Sequence, residues 1–266
     1  MARPVTCTAI VLAAQRAGVV NPLAERAGVS HKCLVPICGK PLIVHVMDAL
    51  AAVPEITRVR ISVEPEAYDE LGELLAPYRE RGLAVDCVPS SENIVESVMQ
   101  AARGEAPPFI ITTADNVLLT SDTLDAVVAA LGEADVVMNL ATKPSVLAIH
   151  PEAQRRFYEF RDQGYANCNL YAVAGPHAFG AAEVFREGGQ FMKNPGRLIR
   201  AFGLFNILLF RFRLLSLQAA ARRLSRHFGL KVRALVPADG AQAVDVDNER
   251  TYNVAEMVLR QRGQGT

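Results

Sequence analysis

Short β-branched or apolar runs alternate with segments of helical period along the first half of the chain, the pattern of a largely parallel sheet covered by helices on both faces. It predicts strands at about 6–13, 57–64, 84–88, 108–113 and 134–141, with helices near 41–53, 66–80, 93–103 and 121–132 between them. After residue 141 the rhythm changes. A strand-like Asn167-Cys-Asn-Leu-Tyr-Ala-Val precedes a helix near 177–187, a long apolar and basic stretch, strands near 230–236 and 242–246, and a final helix. The expected fold is α/β: a Rossmann-like, mostly parallel sheet with helices on both faces and a C-terminal α/β elaboration. A single domain is expected over 1–261, divided at 141/142, with a helical insertion at about 191–228 and a tail at 262–266.

The 266 residues are half apolar, enough to fill a sizeable core. Basic and acidic residues balance at 28 each, so no global field marks nucleic acid as a partner. The balance conceals a polarity. From Val184 to Ala238 eleven Lys or Arg face one acidic residue, Glu187. Snorkelling arginines on solvated helices and a surface facing phosphates both fit that count. Leu198–Leu217 mixes apolar residues with Arg200, Arg211 and Arg213, which suits buried helices or peripheral membrane contact. No stretch reaches the roughly 18 uncharged apolar residues of a membrane span. Cys7, Cys33, Cys38, Cys87 and Cys168 are odd in number and lack zinc-site spacing, so reduced thiols are expected. Met1-Ala-Arg-Pro leads into a short apolar run without a small-residue cleavage site, and the expected location is cytoplasmic.

The first strand, Thr8-Ala-Ile-Val-Leu-Ala-Ala, runs into a long polar connection that ends at Leu34-Val-Pro-Ile. Loops of that length in a compact domain are usually functional. Arg16, Gly18 and Arg26 precede Lys32, and Gly39-Lys40-Pro41 follows. At the carboxyl end of the first strand of an open α/β sheet, such a loop lies where ligands bind, and its N–H groups can face a triphosphate. No G-x-x-x-x-G-K-[ST] and no G-x-G-x-x-G follows the strand, which argues against a P-loop NTPase and a dinucleotide dehydrogenase. Pro107-Pro-Phe-Ile-Ile-Thr-Thr is an apolar strand that delivers Asp115 to the same edge, although a lone Asp there is often only a turn or cap residue. Val244-Asp-Val-Asp-Asn-Glu-Arg offers two further carboxylates. Attack of a phosphate oxygen on a nucleotide α-phosphorus concentrates negative charge that carboxylate-held Mg²⁺ offsets, and it needs no protein nucleophile. His31, His45, His150, His177 and His227 are accordingly read as packing or surface residues.

Ile10-Val-Leu-Ala-Ala-Gln-Arg, together with His31-Lys-Cys-Leu-Val-Pro-Ile-Cys-Gly-Lys-Pro-Leu, resembles the signature of the sugar-phosphate and molybdenum-cofactor-type nucleotidyltransferases, the MobA-like and IspD-like NTP transferases. The resemblance implies that residues 1–141 bind the nucleotide and 142–261 the acceptor. Lys32 would hold the phosphates and stabilise transition-state charge, with Arg16 on the β- and γ-phosphates. Leu12, Ala13, Ala14, Gln15 and Lys40 would line the nucleotide site, and Asn93 and Ser97 the base or ribose. In bare structural terms Asn93 is an N-cap. Asp115 and Asp247, with Asp245, would hold Mg²⁺. Asn169 would bond acceptor hydroxyls, Arg197 would bind the acceptor, and Lys193 would neutralise the acceptor or α-phosphate. Gln15 departs from the family glycine: either the loop is reshaped around a side-chain amide, or triphosphate binding is lost. Leu12-Ala13-Ala14 in place of the Gly-Gly of guanylyltransferases is nearer to the cytidylyl- and uridylyltransferases, with CTP favoured. The acceptor is expected to be a phosphorylated alcohol such as glycerol phosphate, or a sugar phosphate. A molybdopterin-type acceptor and a non-catalytic nucleotide-binding module are the alternatives, and a homodimer stays open.

Overall fold

The computed structural model describes residues 6–15, 21–182 and 209–264. Strand β1 (Cys7–Leu12) is buried along its length except at its last residue, as a strand covered on both faces must be. It leads to helix α1 (Pro22–Ala27), a 3₁₀ turn at Lys32–Leu34, and a small hairpin of β2 (Pro36–Ile37) and β3 (Lys40–Pro41). Then follow α2 (Leu42–Ala51), β4 (Ile56–Val63), α3 (Tyr68–Glu80), β5 (Ala84–Pro89), α4 (Ile94–Ala102), β6 (Phe109–Thr113), α5 (Ser121–Leu131) and β7 (Val136–Thr142). The remainder comprises α6 (Lys143–Ile149), β8 (Tyr158–Glu159), β9 (Gly164–Val173), the single turn α7 (Phe179–Ala182), α8 (Leu217–Phe228), β10 (Val232–Leu235) and α9 (Glu249–Gln264).

The sheet order is β10-β7-β9-β6-β1-β4-β5, with β8 paired to β9. Within that order β9 alone runs against its neighbours, β6 and β7. β1 lies between β4 and β6, parallel to both. The chain winds outward to β5 and then returns to the other side of β1, so a switch point opens between the carboxyl ends of β1 and β6. One face of the sheet carries α2, α3 and α5, which bury Ile43, Met47, Leu50, Leu71, Leu75, Leu124 and Val127 at helical spacing. The opposite face is covered by α4 through Val98, Ala101 and Ala102. A separate cluster joins α6 and α9 through Val146, Val254, Ala255 and Val258. Caps fix several helix starts: Asn93, Thr120, Thr142 and Ser216 each accept a backbone N–H of the first turn.

Three expectations need correction or restriction. The segment near 242–246 is not a strand. Gly240–Ala243 forms a 3₁₀ turn pressed onto α6, where a Cβ at Gly240 would lie 2.2 Å from the Ser145 carbonyl carbon. Val244 is extended, Asp247 turns back to donate to the Asp245 carbonyl at 3.0 Å, and Val246 donates to the Asp115 carbonyl at 3.1 Å instead of joining the ladder. The alternating Val-Asp-Val-Asp pattern reflects valines sunk between α6 and α9. The expected tail begins too early, because α9 continues to Gln264 and Arg262 bonds the Leu118 carbonyl at 3.0 Å and Asp239 at 2.6 Å. Of the expected insertion at 191–228 and the helix near 177–187, residues 183–208 lie outside the described residues.

Candidate active site

The parallel register sets Leu12 beside Thr113, so β1 and β6 release their next residues at one edge. Ala114 donates to the Leu12 carbonyl and Ala13 to the Ser62 carbonyl, each at 2.9 Å, which extends the alignment past the ladder. Ala13 is buried and Ala14 exposed at the mouth of the crevice. Gln15 is tied at both ends. Its backbone N–H donates to Glu64 Oε1 at 3.0 Å, and its Nε2 donates to the Ser30 carbonyl at 2.9 Å. Its Oε1 accepts the Lys32 N–H at 3.4 Å. The Gln15 side-chain amide thus ties the end of β1 to Ser30 and Lys32, while residues 16–20 of the loop lie outside the described residues. His31 is buried, with Nδ1 2.9 Å from Ser30 Oγ and Nε2 3.6 Å from Glu64.

This brace delivers Lys32 to the edge. Its ammonium contacts Asp115 Oδ2 and lies 2.7 Å from Asp247 Oδ1. Since charged N–H···O contacts span about 2.7–2.9 Å, two oxygens on one nitrogen lie no more than about 6 Å apart. Asp245 completes the group, accepting from Asn169 Nδ2 at 2.6 Å. Asn169 itself has φ 46°, a left-handed conformation that Asn tolerates better than most residues, and it accepts from Asn167 Nδ2 at 2.6 Å. Burial alone would lower the Lys32 pKa, but Asp115 and Asp247 outweigh it and hold the ammonium above its ordinary value. Burial would raise the Asp115 carboxyl, and Lys32 reverses that and holds it low. Asp245 is held well above the usual carboxylate range by burial and by the charges of Asp115 and Asp247.

Asp115 Oδ1 and Asp245 Oδ1 are buried without a hydrogen-bond partner among the described residues. Such orphaned oxygens are costly unless a cation or donor reaches them. The Lys32 ammonium bonds Asp115 and Asp247 only, which leaves Asp245 without a cationic partner of its own among the described residues, and carboxylate oxygens of this kind are the donor type that Mg²⁺ takes.

The other candidates fall differently. Lys40 pairs with Asp48 of α2 at 2.8 Å. Asn93 caps α4 by accepting the Glu96 N–H at 3.0 Å, and the buried Ser97 hydroxyl accepts from the Ser91 N–H at 2.9 Å and donates to the Ser91 carbonyl. Both therefore shape the loop after β5 with the polar groups expected to meet a nucleoside. Arg16, Lys193 and Arg197 lie outside the described residues. Glu64 and Asn116 escaped the sequence reading. Asn116 is fully buried and donates to Thr112 Oγ1 and the Cys168 carbonyl, fastening the Asp115 turn to β9. Only its place beside Asp115 signalled it. Helix α9 clamps the loop from outside, for Glu249 pairs with Arg26 and the Tyr252 hydroxyl donates to the Pro36 carbonyl at 2.8 Å.

No curated protein sequence matches the chain. A solved structure described as a hypothetical transferase from Thermus thermophilus is 26% identical, with a TM-score of 0.71 over 93% of this chain and 99% of that one. The structure of 4-diphosphocytidyl-2C-methyl-D-erythritol synthase from Anaerococcus prevotii shares the fold, with a TM-score of 0.60, 11% identity, and coverage of 97% of this chain and 100% of that one. Residues 9–172 match the MobA-like NTP transferase domain, a span that holds β1 from Ala9 onward, Lys32, Asp115 and Asn169. The chain belongs to the MobA-like NTP transferase family and is a nucleotidyltransferase.

Proposed function

We propose that the chain is a Mg²⁺-dependent cytidylyltransferase that joins CMP from CTP to a small phosphorylated alcohol or a sugar phosphate. The observation that carries this reading is the Lys32 ammonium held between Asp115 and Asp247 at the switch point of the sheet. An acceptor phosphate oxygen would form the new bond to the α-phosphorus while the α–β bridging bond breaks and pyrophosphate leaves. The acceptor is already anionic, so the protein has no proton to remove and acts by positioning and charge. Lys32 would face the triphosphate and offset charge as it builds. Asp115, Asp245 and Asp247 would hold Mg²⁺, which when bound supplies positive charge to the phosphate oxygens. Asn167 and Asn169, on β9 beside these carboxylates, suit acceptor hydroxyls. Ala13 and Ala14 support CTP, in keeping with the diphosphocytidyl product for which the Anaerococcus neighbour is named.

Pyrophosphate release from each of four NTPs, paired with phosphorylated alcohols and sugar phosphates, tests the proposal. CTP with a phosphorylated alcohol is expected to give the highest turnover, and EDTA to abolish it. Turnover that survives EDTA would remove the metal from the reading. Silence with every pair would make the chain a binding module.

A further inference from the structure

Residues 209–238 contain seven Lys or Arg and no Asp or Glu. Within them Arg211, Phe212, Arg213 and Leu214 are all exposed. Phe212 at 67% and Leu214 at 54% are the most exposed large apolar side chains among the described residues. Large apolar groups shown to water within a basic field mark an interaction site. The turn that shows them is firmly seated. Leu215 and Leu217 are buried, Arg161 donates its N–H to the Leu215 carbonyl at 2.8 Å, and Leu217 donates to Asp162 Oδ1 at 3.2 Å. The Phe210 ring packs edge-on against Phe160, with centroids 5.1 Å apart.

Helix α8 continues the same surface. Its inner face, Leu217 and Ala221, packs on Ala234 of β10 and on Tyr165. Arg222 and Arg226 lie four residues apart and are exposed, so they share the outer face. The location is informative. Gln218 Nε2 bonds the Ala234 carbonyl at 3.2 Å near the end of β10, and Tyr165 pairs with Thr142, the last residue of β7. Because β7 and β10 are parallel, the start of α8 and the Phe212 turn stand at the same carboxyl edge of the sheet as Asp115.

We propose that this ledge is a docking surface for an anionic lipid membrane. Phe212 and Leu214 enter the headgroup boundary, and Arg211, Arg213, Arg222 and Arg226 face lipid phosphates. Two protruding side chains bury far less than the roughly 1,200 Å² of a stable protein interface, and the net positive charge of the segment repels a second copy. An anionic bilayer supplies both an apolar layer and the opposite charge. Docking there turns the active-site edge toward the membrane.

Flotation of the full chain with vesicles of phosphatidylcholine, alone or mixed with phosphatidylglycerol, tests the proposal. Wild type is expected to float with the mixed vesicles only, and to be released at about 1 M salt, where the Debye length falls to about 3 Å. Arg222→Gln with Arg226→Gln is expected to weaken partitioning about 25-fold, roughly fivefold for each arginine. Phe212→Asp with Leu214→Asp is expected to abolish it with little change in melting temperature, since both side chains are mostly exposed. Failure of wild type to float, equal binding to both vesicles, or unaltered binding by either double variant would overturn the proposal. So would a concentration-dependent dimer that Phe212→Asp dissolves, because a second copy would then cover the ledge.

Discussion

Lys32 lies between two carboxylates, those of Asp115 and Asp247. The Lys32→Ala variant therefore loses a charge that acts in the transition state and also frees two carboxylates. The expected effect is a fall in kcat of about 100-fold or more, comparable with loss of a single oxyanion donor. A higher KM with unchanged kcat would show that Lys32 contributes only uniform binding. Asp48 offers a second measurement, remote from the chemistry. Its burial would raise the carboxyl, but hydrogen bonds from Lys40 and from Tyr78 hold it below its ordinary value. A depressed folded pKa favours the folded state above the unfolded value of about 3.9, and the benefit fades as pH falls through the folded value. The difference in melting temperature between wild type and Asp48→Asn should be widest above about pH 5 and close in more acidic buffer. A difference that ignores pH would mean that Asn pairs with Lys40 and Tyr78 as well as Asp does.

At the level of elements, the contact between α6 and the turn at Gly240–Ala243 leaves no space for a side chain. Gly240→Ala forces a methyl into the Ser145 backbone, which cannot swing aside as a side-chain tip would. Overpacking of this kind is expected to cost about 3 kcal/mol or more, lowering the melting temperature by roughly 6–12 °C. Gly72→Ala in α3 meets nothing within 4 Å and is the matched control, expected to be neutral or slightly stabilising. Differential scanning calorimetry of both variants checks the pair. Equal melting temperatures would mean that α6 shifts to admit the methyl.

The same turn shows where a sequence stops being readable. β1, β4 and β6 were legible because apolar runs with Gly, Pro and Asn at their ends are local signals. Lys32 and Asp115 were legible because each stands at a fixed distance from such a run. Val244-Asp-Val-Asp carried the right alternation but the wrong partner, since only packing decides whether an extended segment bonds a strand or a lone Asp115 carbonyl. Glu64 was invisible for a related reason. It faces Gln15 only once β1 and β4 adopt their parallel register, and no spacing along the chain encodes that neighbour.

The whole molecule is neutral, yet its basic residues concentrate around α8 while the acidic excess lies elsewhere, so its surface charge has a direction. Its site is equally divided along the chain. Lys32 and Asp247 are 215 residues apart, Arg26 and Glu249 are 223 apart, and Pro36 and Tyr252 are 216 apart. A ribosome adding about 5–20 residues each second completes the phosphate loop roughly 10–40 s before it reaches the last carboxylate. The nascent chain therefore carries one half of a catalytic site for most of its synthesis. Prematurely terminated products should be silent rather than wasteful, consuming no triphosphate, because the residues that would complete them are the last to be translated.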